Sequence, residues 1–134
     1  MRGATVLAMT FAVAACTDVR DFRGTWTGDS ATLTIERVDS YELGGTLALP
    51  GAAAAPLRMS TRIESDALST MTFAGSPLRV YLAYFDPGDG CGEALAVISL
   101  HESRRVEVRV LRGASSCDEL FGRFSLIPGL EAAP

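Results

Sequence analysis

The chain has 134 residues, nearly half of them hydrophobic, which is enough for one domain with a core of its own. Twelve arginines stand against sixteen Asp and Glu, so there is no basic excess of the kind that nucleic-acid binding needs. Lysine, asparagine and glutamine are absent, which excludes Schiff-base chemistry and a phosphate-loop lysine.

In chain order, the first segment is Met1 to Ala15: a single positive charge, Arg2, then an apolar run from Ala4. The run falls short of the roughly 20 residues a membrane-spanning helix needs, and it reads as a signal peptide. It ends in Val13-Ala14-Ala15-Cys16, which resembles the lipobox of bacterial lipoproteins. That resemblance implies cleavage before Cys16 and a lipid on its thiol, with Val13 standing where leucine is commoner. Thr17, not Asp, follows the cysteine, so the outer membrane is expected where the envelope has two. Residues 16–22 form the anchor and a tether of about seven residues, at most roughly 25 Å long.

From Arg23 to Ile127 the apolar period is two, as in Val106-Glu107-Val108-Arg109-Val110, which signals half-buried antiparallel strands. The pattern predicts strands at Arg23–Gly28, Ala31–Val38, Glu42–Leu49, Leu57–Glu64, Ala67–Ala74, Leu78–Phe85, Glu93–Leu100, Arg105–Arg112 and Leu120–Ile127. Gly44-Gly45 inside the third suggests a bulge or sharp bend. No helix of useful length is expected. The fold class is therefore all-β: a small antiparallel up-and-down barrel of about eight strands, with a β-sandwich as the alternative. Residues 128–134 are a C-terminal tail.

Phe22-Arg23-Gly24-Thr25-Trp26 is similar to the first strand of the lipocalin and fatty-acid-binding superfamily. There a Gly-x-Trp closes one end of the barrel, often under an arginine from a late strand. The resemblance implies that role for Trp26, with Arg109, Arg112 or Arg123 as its cation–π partner. It also implies an apolar small molecule as ligand. The chain lacks the helical lid of fatty-acid-binding proteins and the C-terminal helix of lipocalins.

Three cysteines leave Cys91 and Cys117 as a pair once Cys16 carries lipid. They flank one predicted hairpin, so both fall at one end of it, and a disulfide is expected in an exported protein. The Asp86-Pro87-Gly88-Asp89-Gly90-Cys91-Gly92-Glu93 loop could offer oxygen ligands to calcium, but its spacing is not that of an EF-hand. Asp and Gly are also what turns require, so no metal or other cofactor is expected. His101 falls at the start of a turn, where an exposed histidine is usually only solvated, and no nucleophile–base–acid spacing accompanies it. No catalytic role is expected.

Two strands, Leu78–Phe85 and Glu93–Leu100, are apolar on both faces. With Leu78, Val80 and Leu82 taken as core, Tyr81, Phe85 and Ile98 form an outward cluster available to a partner. The expectation is a cell-envelope lipoprotein, a non-catalytic binding module held at the membrane that docks an envelope protein. The alternatives are a lipocalin-like carrier and, behind it, an envelope hydrolase.

Overall fold

The computed structural model describes residues 18–63, 77–88, 92–111 and 122–129. Among these, a short 3-10 helix at Val19–Phe22 leads into nine strands: β1 (Gly24–Gly28), β2 (Ala31–Val38), β3 (Leu43–Ala48), β4 (Ala55–Pro56), β5 (Arg58–Arg62), β6 (Arg79–Phe85), β7 (Ala94–His101), β8 (Arg105–Leu111) and β9 (Gly122–Pro128). All pair antiparallel in one curled sheet of order β4-β3-β2-β1-β9-β8-β7-β6-β5. Apart from β4 and β5, at the two ends of this order, consecutive strands lie side by side, and the last returns to the first. β4 and β5 run on from each other across Leu57, so they act as one bent strand.

The curl brings the two edges together. Leu57 N–H donates to the Gly45 carbonyl at 2.8 Å, and Arg62 N–H to the Tyr41 carbonyl at 2.9 Å. This is the up-and-down barrel, with one continuous sheet instead of two stacked ones. The predicted strands from Arg23 to Glu64 and from Leu78 onward coincide with β1–β3 and β5–β9 to within two residues. The segment Ala67–Ala74 lies outside the described residues.

Three features depart from the sequence reading. Residues Val19–Phe22 were expected as tether, yet they form a capped turn. The Asp18 carboxylate accepts from Arg20 N–H at 3.0 Å, and Val19 and Phe22 are buried. β4 is only two residues long and sits between Pro50 and Leu57, too short for an alternating pattern to show. On β5, the register to β6 shifts between Arg58 and Thr61, so a bulge breaks the alternation that links Leu57 to Ile63.

The glycine pair does mark an irregularity, placed on the partner strand. Ile35 pairs with Gly45 and Arg37 with Gly44, so Glu36 is an extra residue bulged out of β2. A Cβ on Gly45 would lie 1.8 Å from the Thr34 carbonyl oxygen. Only glycine lets β3 come that close, and the bend it permits helps the sheet curl.

The meander alternates between two ends. At one end sit the 3-10 helix, the β2–β3 turn, the end of β5, the β7–β8 turn and the end of β9. At the other end sit the β1–β2 turn, the β3–β4 connection, the end of β6, the start of β7, the end of β8 and the start of β9.

Candidate functional site

The interior is the first place to look. Trp26, Leu33, Ile35, Leu47, Tyr81, Phe85, Ile98, Leu100, Val106 and Leu126 each keep 2 % or less of their surface. A void large enough for water beside any of them would leave it accessible surface, so none borders these side chains.

This placement corrects the phase expected for β6. Tyr81 is 0 %, Phe85 1 % and Ile98 0 % exposed, and all three belong to the core. They form no outward cluster. Leu82 and Tyr84 take the outer face and are only half-buried. Alternation could not choose the phase because both faces of the strand are apolar. The large aromatics fill the barrel, and Tyr81 gains a partner there: its hydroxyl donates to the Asp39 carbonyl at 2.5 Å. Burial raises the Tyr81 pKa to about 12.

One barrel end is closed by a stack. Phe22 of the 3-10 helix lies over Trp26, with ring centroids 5.4 Å apart and planes 19° from parallel. Trp26 Nε1–H donates to the Phe22 carbonyl at 2.8 Å, which satisfies the indole in a dry site. Arg104, from the β7–β8 turn, covers both rings, at 5.1 Å from the Trp26 centroid and 5.8 Å from that of Phe22. Its guanidinium also donates to the Asp21 carbonyl at 3.0 Å.

The cation on Trp26 is thus Arg104. Arg109 and Arg123 instead face outward beside Glu107, and Arg112 lies outside the described residues. Arg104 carries no strand-pattern signal, because it sits in a turn with positive φ (61°) and not on a late strand.

The outer wall formed by β7 and β8 carries the buried polar side chains of the described residues: Ser99, His101 and Glu107. Ser99 and His101 project from one face of β7, and Glu107 pairs directly with Ser99. His101 is 3 % exposed, so it is not the solvated turn residue expected. Burial, and then the charge of Arg105, hold its pKa below the ordinary value, while Glu107 works the other way. His101 Nε2 lies 3.2 Å from Ser99 Oγ, and the Ser99 hydroxyl donates to the Glu107 backbone carbonyl at 3.4 Å.

The Ser99 hydroxyl thus lies between the His101 ring and the Glu107 backbone carbonyl, within reach of both. Glu107 stands between Arg109 at 3.9 Å and Arg123 at 3.7 Å, an ion-pair cluster that places a compensated charge on the wall. Val80 and Val97 on the same wall are also buried, so this side offers no exposed apolar patch at those positions.

On the opposite wall the outward positions are threonines. Thr25 pairs with Thr34 and Thr34 with Thr46, while Thr27 pairs with Thr32. All five are half-buried, and they make an even polar surface across β1–β3.

The acidic loop is partly accounted for. Asp86 accepts from Gly88 N–H at 2.9 Å, a local turn, and Glu93 is ion-paired to Arg58. Asp89 lies outside the described residues. No group of three or more His, Cys, Asp or Glu among the described residues could hold a metal. Cys16, Cys91 and Cys117 also lie outside them. The strands that Cys91 and Cys117 flank do align, with Leu95 at the start of β7 paired to Leu111 at the end of β8. No family model, curated protein or solved structure matches this chain.

Proposed function

We propose that the chain is a cell-envelope lipoprotein, anchored through Cys16, whose barrel is a non-catalytic binding module for an envelope protein. The observation that carries this reading is the filled interior. A carrier needs a cavity that takes up most of its ligand's surface, whereas the inward side chains Tyr81, Phe85, Ile98 and Leu100 are buried in one core cluster with 1 % or less of their surface exposed. Recognition then falls to the outside. Ser99 and His101 are both buried, which leaves a substrate no access to them and favours binding over the hydrolase reading. Because Tyr81, Phe85 and Ile98 are core, the outward wall proposed for docking is the threonine surface of β1–β3.

A second reading, the lipocalin-like carrier, draws on the closed end. The stack of Phe22, Trp26 and Arg104 resembles the arrangement that superfamily uses to seal its barrel. Titration with a fluorescent fatty acid separates the two readings. The binding-module reading expects no saturable uptake, together with a discrete protein adduct in envelopes when a photoreactive side chain replaces Thr34. Saturable binding that unlabelled fatty acid displaces, with no adduct at Thr34, supports the carrier instead.

A further inference from the structure

We infer that the barrel stands end-on against the lipid surface carrying its anchor, with the Trp26 end facing the headgroups and Tyr41 seated in the interface. This rests on the proposed lipidation of Cys16.

The argument begins with the length of chain between anchor and fold. Asp18 caps the 3-10 helix, and Val19 and Phe22 are buried, so the folded body reaches at least to Asp18. Only Thr17 separates it from Cys16. Two Cα steps span at most about 7.6 Å, less than the width of one helix. A tether that short cannot lift the barrel clear of the headgroups or turn its far end toward them.

The end so held is the one closed by Phe22, Trp26 and Arg104. The β2–β3 turn shares that end, because Arg62 at the close of β5 bonds to Tyr41 and Tyr81 bonds to Asp39. Tyr41 is 71 % exposed, one of two large hydrophobic side chains so displayed among the described residues. The turn presenting it is firm. The Asp39 carboxylate accepts from Tyr41 N–H at 2.7 Å and Glu42 N–H at 2.8 Å, and Asp39 N–H donates to the Glu42 carbonyl at 2.9 Å. Tyrosine favours the membrane–water boundary because its ring is apolar and its hydroxyl is wet.

The exposed charges at this end are mixed: Arg20, Arg23 and Arg104 alongside Asp21, Asp39, Glu42 and Glu102. Contact is therefore apolar and anchor-driven, without a requirement for anionic lipid.

The test uses the full chain, processed in bacteria and reconstituted into phosphatidylcholine vesicles with or without brominated acyl chains. Tyr41→Trp is compared with Ala52→Trp, on the β3–β4 connection at the opposite end, after subtracting the emission of the unsubstituted protein. The mass of the N-terminal peptide is read from the same samples. The inference expects lipid on Cys16 and bromine quenching of the indole introduced at 41 but not at 52, unchanged when a fifth of the lipid is phosphatidylglycerol. Lipidated protein with equal quenching at both positions, or quenching at 52 alone, overturns the orientation while leaving the lipoprotein reading intact. An unmodified Cys16 overturns both.

Discussion

Tyr81 shows how one atom settles a choice that the sequence leaves open. Its ring fills the barrel and its hydroxyl meets the Asp39 carbonyl, so the side chain is satisfied at both ends. Tyr81→Phe keeps the packing and removes one hydrogen bond to a neutral acceptor, for an expected cost of about 1 kcal/mol. Tyr81→Ala opens a cavity as well and should cost about 3–5 kcal/mol, both values being read from urea unfolding. Since the folded pKa is raised to about 12 from an ordinary value of 10, the phenol's contribution is complete below pH 10. It should fade as pH rises toward 12, and Tyr81→Phe should remove that part of the alkaline loss.

His101 has the opposite sign. Its folded pKa lies below the ordinary value, so the unfolded chain takes up a proton first as pH falls. Stability should therefore decline as pH drops below 6.5, before most carboxylates titrate, and His101→Gln should flatten that step in a series of melts from pH 7.5 to 5.5. Arg104→Ala removes the guanidinium over the Phe22–Trp26 stack, with an expected loss of about 1 kcal/mol. It also opens the sole tryptophan to water, so a red shift in native emission is the accompanying sign. An unshifted spectrum would mean that the 3-10 helix alone shields Trp26.

At the scale of elements, alternation worked wherever one face of a strand was polar. Thr32, Thr34 and Glu36 opposite Leu33 and Ile35 gave β2 both its limits and its phase, and Glu107 and Arg109 did the same for β8. It failed on β6, where Val80, Leu82 and Tyr84 are as apolar as Tyr81, Ala83 and Phe85 and the period carries no phase. The 3-10 helix was missed because four residues are too few for a period. Its signal was local: Asp18 and Asp21 at capping-box spacing, with Val19 and Phe22 three apart. The pattern ends the strand at Leu100 and puts His101 in the turn, but β7 runs one residue further and buries it. The Trp26 partner was legible in kind, an arginine, and not in position, since a turn's reach depends on where the barrel closes.

The bulge at Glu36 offers a test at this scale. Gly45→Ala sets a methyl against the Thr34 carbonyl, with backbone on both sides and no side chain to yield. The expected cost is about 3 kcal/mol, at the upper end for overpacking, with weakened β2–β3 pairing visible as faster amide exchange at Thr34 and Glu36. Gly51→Ala, where a Cβ meets nothing within 4 Å but φ is +77°, should cost less, about 1 kcal/mol.

For the whole molecule, the barrel closes with its first and last strands side by side. Trp26 pairs with Pro128, Thr27 with Ile127, and Gly129 N–H donates to the Thr25 carbonyl at 2.7 Å. That seam ends beside the 3-10 helix, whose N-cap Asp18 is two Cα steps along the chain from Cys16. The proposed function depends on that cysteine being an anchor, because the anchor places a filled barrel at a membrane and leaves its outer walls to do the recognising. The most direct measurement is the intact mass and sequence of the N-terminal peptide from the membrane fraction of bacteria making the full chain. The account predicts a peptide that begins at Cys16 and carries acyl chains there. A mature peptide beginning elsewhere, or a Cys16 thiol without lipid, would contradict it.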